Sequence, residues 1–175
     1  MTKIKTHLIL GGARSGKTKF AEGLAIEESK HSKTTPTYIA TAKALDPEME
    51  DRINRHKEER ANTFLTKECP LNLSEPLLSA SRDDVILVDC LTLFVTNLMC
   101  SEEFDQSQIS NFLNAIKLTK ARLIIVSNET SLGIVPDNKL ARDFRDIAGK
   151  LNQNVASIAD RVTMMLAGIA VPIKQ

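Results

Sequence analysis

His7-Leu8-Ile9-Leu10-Gly11-Gly12-Ala13-Arg14-Ser15-Gly16-Lys17-Thr18 decides the reading of this chain. A short apolar run over residues 7–10 leads directly into the pattern G-x-x-x-x-G-K-[ST], and a helical pattern over 17–28 follows it. Gly11, Gly12 and Gly16 let the backbone wrap closely, so that the N–H groups of Ala13, Arg14, Ser15 and their neighbours can point inward at phosphate oxygens. The helix beginning near Lys17 adds its positive N-terminal end to the same place. Lys17 is expected to reach the β- and γ-phosphates, and the Thr18 hydroxyl to bind Mg²⁺. A chance glycine turn is the competing reading, and the strand before and helix after weigh against it.

Working outward, apolar runs recur at 37–41, 85–89, 123–127 and 162–166, with weaker ones at 64–67 and 171–173. The strong runs are nearly continuous in apolar residues, as expected of strands covered on both faces. Between them lie helical patterns at 47–60, with Asp46 as N-cap and Pro47 in the first turn, at 107–119, and at 138–159. The last places Leu140, Phe144, Ile147, Leu151, Val155 and Ile158 at three- and four-residue steps, one stripe of an amphipathic helix. Strands alternating with helices predict βαβ units. No linker-like tract divides residues 1–175, which read as a single P-loop nucleotide-binding domain. The expected fold class is α/β, a P-loop NTPase of the RecA-like kind with a mainly parallel central sheet flanked by helices.

Composition excludes several classes. Lys plus Arg number 23 against 22 acids, and a net charge of +1 offers no broad footprint for a polyanion. Zero Trp and one Tyr leave few stacking platforms, so no nucleic-acid partner is expected. No apolar run approaches the ~20 residues of a membrane span. Cys69, Cys90 and Cys100 have no C-x-x-C or ligand spacing, as suits reduced thiols, and with no signal-peptide core in view the expected location is cytoplasmic.

Two further clusters carry chemistry. Val85-Ile86-Leu87-Val88-Asp89 is an apolar run ending in an acid, the usual form of the carboxylate beside a Mg²⁺-phosphate site; a strand-end cap is the plainer alternative. In Arg52-Ile53-Asn54-Arg55-His56-Lys57-Glu58-Glu59-Arg60, a helix would align Arg52, His56 and Arg60 in one basic stripe. Such a stripe could hold a polyphosphate and keep His56 neutral as a nucleophile. A solvated face of mixed charge, with Glu48, Glu50 and Asp51 nearby, explains the same spacing. His7 and His31 are poorer candidates. Asn128-Glu129 reads equally as site or turn, Arg142 and Arg145 as solvent-facing or intersubunit, Cys90 as a small buried filler, and 133–136 as a turn that could cover substrate.

These motifs, with Tyr38-Ile39-Ala40-Thr41-Ala42, Val88-Asp89-Cys90-Leu91-Thr92, Thr96-Asn97-Leu98, Ser127-Asn128-Glu129, Gly133-Ile134-Val135-Pro136 and the tract from Leu140 to Gly149, resemble one family over nearly the whole chain. It is the bifunctional adenosylcobinamide kinase/adenosylcobinamide-phosphate guanylyltransferase family of cobalamin assembly. The resemblance implies that His56 takes GMP from GTP as a covalent intermediate. It also implies nucleotide contacts from the phosphate loop, from Ala40, Thr41 and Ala42, and from Lys57, Glu58, Glu59 and Arg60. Glu68 and Asp89 are further nucleotide-site candidates, with Thr18 and Asp89 as metal ligands. GTP or ATP, Mg²⁺, and adenosylcobinamide or its phosphate follow as co-substrates and cofactor, and a homo-oligomer, a trimer, as the assembly. Some family members carry two adjacent histidines where this chain has Arg55-His56, and the segment over 99–122 is shorter here than in many. The competing functions are a P-loop small-molecule kinase without guanylyltransferase activity, a nucleic-acid motor and a binding-only switch.

Overall fold

The computed structural model describes residues 5–43, 57–58, 60–101 and 105–175. Its elements run β1 (Thr6–Gly11), α1 (Lys17–Ser32), β2 (Thr37–Ala40), β3 (Leu65–Glu68), α2 (Ser74–Leu78), β4 (Val85–Asp89), α3 (Leu91–Met99), α4 (Ser107–Leu118), β5 (Arg122–Asn128), α5 (Lys139–Ile158), β6 (Arg161–Leu166) and β7 (Ile169–Lys174). The strands form one sheet in the order β3-β2-β4-β5-β1-β6-β7. Every neighbouring pair is parallel except β6 and β7, an antiparallel hairpin. Its two turn residues, Ala167 and Gly168, have φ of 51° and 83°, the positive values that a tight two-residue turn requires.

The near-continuous apolar runs have a simple cause. One face of the sheet buries Leu8, Ile39, Val88 and Ile125 against Leu77, Phe94, Phe112 and Leu151 of α2 to α5. The other buries Ile9, Tyr38, Leu87 and Val126 against Ala21 and Ala25 of α1 and against Phe64. A strand between two helical layers has no solvent side on which to place polar residues. Parallel pairing sets all the functional strand ends on one edge. Glu68 pairs with Ala40, Ala40 with Asp89, Asp89 with Val126, and Val126 with Ile9, so these positions lie abreast. The phosphate-loop strand β1 and the Asp89 strand β4 are separated by β5 alone.

The sequence expectations place each strand to within two residues, and the long helix starts where its pattern says. Asn138 is its N-cap, accepting from the Ala141 N–H at 2.8 Å. Helices α2 and α3 are not announced by any pattern in the sequence. Six of the nine residues of α3 are buried, leaving no polar stripe to reveal a period, and α2 is a five-residue helix with Pro76 in its first turn. The helix expected over 47–60 lies outside the described residues except for 57, 58 and 60. Among the described residues no helix is long and apolar enough to cross a membrane.

Candidate functional site

β1 delivers Gly11 to the C-terminal edge, where the chain leaves the sheet. Gly11 has φ of 154°, Arg14 55° and Gly16 92°. A Cβ on Gly11 would stand 2.6 Å from the Met165 carbonyl oxygen and 2.6 Å from Ser15 Oγ, so a side chain is excluded there. Three hydrogen bonds pin the loop. Glu129 N donates to Gly11 O at 3.0 Å, Gly168 N to Ser15 O at 3.1 Å, and Ser15 N to Gly12 O at 3.3 Å. Gly12, Ala13, Arg14 and Gly16 are exposed around a buried Lys17. The Lys17 ammonium donates to Gly12 O at 2.5 Å and lies 3.5 Å from Ser15 Oγ. Burial holds its pKa below the usual lysine range, while the Asp89 carboxylate acts the other way.

At the first turn of α1 the Thr18 hydroxyl donates to Asp89 Oδ2 at 2.9 Å, and the Tyr38 hydroxyl donates to the same oxygen at 2.7 Å. Asp89 therefore faces the loop rather than capping a turn. Thr18 and Asp89 offer hard oxygen donors, which fits Mg²⁺, an ion that takes one or two protein carboxylates and completes its shell with phosphate and water. Among the described residues no group of three or more His, Cys, Asp or Glu gathers into an all-protein metal cage. Burial, followed by the neighbouring Asp89 charge, raises the Tyr38 pKa, so its hydroxyl remains a donor.

The remaining expected residues divide by position. Lys57 forms an ion pair with Glu68, the last residue of the edge strand β3. Arg60 does not lie on a solvated face. It is 8% exposed, with its guanidinium 3.8 Å from the centre of the Tyr38 ring and 3.9 Å from Glu22 Oε1. Glu58 is exposed, and Ala42 is half-buried just beyond β2. Thr41 is buried, and its polar groups are committed within the protein. Its N–H donates to Asp89 O at 3.1 Å, its hydroxyl donates to Cys90 O and accepts from Cys90 N, both at 2.8 Å, and its carbonyl accepts from Asn97 at 2.7 Å. His56 and Glu59, with Arg52 and Arg55, lie outside the described residues. Asn128 donates to Thr92 Oγ1 at 3.1 Å, and Arg142 donates to the carbonyls of Pro136 and Asp137 at 3.0 and 2.7 Å. A groove of about 740 Å³ between α2 and α4 contains none of the expected site residues. Tyr38 joins the site without having been among the residues expected from the motifs. The one available signal was a hydroxyl-bearing ring in an apolar strand two residues before its end.

The family model described as "Cobinamide kinase / cobinamide phosphate guanyltransferase" matches residues 7–173. The chain belongs to this family. Among members of the cobinamide kinase/guanyltransferase family, it is 44% identical to "Bifunctional adenosylcobalamin biosynthesis protein CobP" of Pseudomonas aeruginosa, over 95% of this chain and 96% of that protein. It is 40% identical to the corresponding CobU protein of Salmonella typhimurium, over 95% of this chain and 98% of that protein. For the CobU protein of Escherichia coli the identity is 37% over the same two shares. Among solved structures, the flagellar accessory protein FlaH from Methanocaldococcus jannaschii aligns with a TM-score of 0.50 at 14% identity, covering 97% of this chain and 78% of that one. That likeness bears on the fold alone, and it agrees with the P-loop architecture of the cobinamide kinase family member described here.

Proposed function

We propose that this chain catalyses two successive steps in assembling the nucleotide loop of cobalamin. In the first, the hydroxyl oxygen of the aminopropanol arm of adenosylcobinamide attacks the γ-phosphorus of ATP or GTP. The bond to the β-phosphate oxygen breaks, the nucleoside diphosphate leaves and the hydroxyl proton is lost to solvent. In the second, a ring nitrogen of His56 attacks the α-phosphorus of GTP and pyrophosphate leaves. The phosphate of adenosylcobinamide phosphate then attacks the guanylylated imidazole, the P–N bond breaks, and adenosylcobinamide-GDP forms. A covalent intermediate divides a difficult transfer between two anions into two easier displacements.

The single observation that carries the reading is the convergence of Lys17, Thr18 and Asp89 on one sheet edge, in a chain matched to this family over residues 7–173. In this scheme Gly11, Gly12, Ala13, Arg14, Ser15 and Gly16 present backbone N–H groups to the phosphates, and Lys17 supplies a buried positive charge. Thr18 and Asp89 would hold Mg²⁺, which when bound neutralises charge on the phosphate oxygens. Thr41 fixes the turn on which Ala40 and Ala42 meet the nucleotide. Lys57, Glu58, Glu59, Arg60 and Glu68 supply the further nucleotide contacts of the scheme. The scheme includes self-association as a homotrimer, supported by the apolar stripe Ile169, Val171 and Ile173 on the solvent-exposed edge strand β7. A cytoplasmic location is supported by three free thiols.

Intact-protein mass spectrometry after incubation with Mg²⁺ and GTP tests the scheme. Wild-type protein gains the mass of one GMP and the His56→Ala variant does not. Wild-type protein that binds GTP without gaining mass would leave the kinase step alone standing, with His56 on a solvated helix face.

A further inference from the structure

Tyr38 is the chain's one tyrosine, and the two-step scheme gives it no task. Its ring is 4% exposed and held on two sides. The Arg60 guanidinium lies 3.8 Å from the ring centre, and Phe64 meets it edge-on with centroids 5.8 Å apart and planes at 80°. A ring gripped in this way fixes where its hydroxyl points, and the hydroxyl points at Asp89 Oδ2, 2.7 Å away. Thr18 donates to the same oxygen at 2.9 Å. Among the described residues, both hydrogen bonds to this carboxylate land on Oδ2 and none on Oδ1. The carboxylate is thus held by one edge from two directions. A phenylalanine would pack equally well between Arg60 and Phe64 without burying a hydroxyl, so packing alone does not account for the oxygen. Donors behind a ligating carboxylate fix its rotation and its basicity. Arg60 closes the chain of contacts, because it stands four residues after His56 and its other neighbour is Glu22 on α1.

We propose that Tyr38 is a positioning residue whose hydroxyl locks the Asp89 carboxylate in the orientation that accepts Mg²⁺–nucleotide, and that the Arg60–Tyr38 stack ties the segment following His56 to that lock. The inference rests on the reading of the phosphate loop as a Mg²⁺–nucleotide site. Displacement of Arg60 would release one side of the Tyr38 ring and so loosen the carboxylate on which the phosphate end depends.

The test is an equilibrium one. A fluorescent GTP analogue is titrated with the protein in EDTA and across a Mg²⁺ series, for wild type, Tyr38→Phe and Phe64→Leu, with melting temperature measured alongside. Tyr38→Phe keeps the ring between its neighbours and removes the hydroxyl. The Mg²⁺ concentration giving half of the affinity gain is expected to rise about tenfold or more, the range seen when a donor behind a metal ligand is lost. Affinity in EDTA stays within about twofold of wild type, because a fault in folding or in phosphate contacts would lower it and a fault confined to the carboxylate does not. Phe64→Leu keeps the hydroxyl but releases one side of the ring, and moves the Mg²⁺ midpoint in the same direction by a smaller factor. This second variant carries the test if Tyr38→Phe melts early. Unchanged Mg²⁺ midpoints in both variants overturn the proposal while leaving the Mg²⁺–nucleotide reading intact. Wild-type affinity that is indifferent to Mg²⁺ overturns both.

Discussion

Replacing three glycines of the phosphate loop by alanine, one at a time, should produce three graded outcomes. At Gly11 a methyl group would sit 2.6 Å from the Met165 carbonyl oxygen and 3.2 Å from Met165 Cβ, and φ is 154°. The obstacle is backbone of the adjacent strand, so β6 or the loop must move. Overpacking of that kind costs about 1–3 kcal/mol, and an unfavourable backbone conformation adds about 1–2 kcal/mol. At Gly16 the nearest atom to the new methyl is the Gly168 Cα at 3.6 Å, an ordinary contact, and only φ of 92° is penalised. Its cost is about 1–2 kcal/mol. At Gly12 nothing lies within 4 Å and φ is not in the strained range, so stability changes by no more than about 0.5 kcal/mol. Urea unfolding without nucleotide measures all three, and the expected order of loss is Gly11→Ala, then Gly16→Ala, then Gly12→Ala. For a chain of this size, about 1 kcal/mol corresponds to ~2–4 °C in melting temperature, so the first variant separates clearly from the third. Equal losses at Gly11 and Gly12, or a loss at Gly12 exceeding that at Gly11, would refute the claim that strand β6 sets the shape of the loop.

Two other perturbations test the surroundings of the site. Asn97→Leu removes the donor to Thr41 O at 2.7 Å and Pro70 O at 3.0 Å, leaving two carbonyls unpaired; a loss of about 2–4 kcal/mol in urea unfolding is expected, and a loss below about 1 kcal/mol would show that the two carbonyls find other partners. His7 lies against Thr163 Oγ1 at 2.8 Å, and burial, aided by Arg161, lowers its pKa from 6.5 to about 4. The unfolded chain therefore binds a proton that the folded chain refuses between those two values, and stability falls as pH drops from 6.5 toward 4, by at most ~1.4 kcal/mol per pH unit. Melting curves across that window should flatten in His7→Gln, and an identical pH slope in the variant would remove His7 as the cause.

The legible part of the molecule was its periodic part. The run from Val85 to Asp89 could be placed as a buried strand because every side chain but the last is apolar, and that last carboxylate does stand at the strand end, facing Thr18. The phosphate loop was legible because its glycines answer a local demand. Helix α3 was not legible, since burial on nearly all sides erased its period. Tyr38 was not legible either: in sequence it is one aromatic in a four-residue strand, and only β2 lying beside β4 puts its hydroxyl on Asp89. The surroundings of Arg60 were not legible for a related reason: its place in a helical pattern does not say what its side chain meets, and here it meets the Tyr38 ring. Thr41 and Asn97 fall into the same class, because their partners are backbone groups that no side-chain pattern records.

The phosphate loop itself shows how far a local motif depends on distant chain. Its eight residues carry the required glycines and lysine, yet the hydrogen bonds that shape it arrive from Glu129, after β5, and from Gly168, in the last hairpin. The Met165 carbonyl forbids a side chain at Gly11, and Asp89, at the end of β4, receives the Thr18 hydroxyl. Contacts between segments more than a hundred residues apart must form before the loop has its shape, and they carry the loop-closure cost of non-local pairing. Strand β1 occupies the centre of this arrangement, paired with β5 on one side and β6 on the other. Detaching the β6–β7 hairpin from β1 would remove both the Gly168 bond to Ser15 and the carbonyl that confines Gly11, while leaving the motif intact in sequence. The loop's competence to cradle phosphate is therefore a property of the closed sheet, and G-x-x-x-x-G-K-[ST] specifies only the residues that can comply with it.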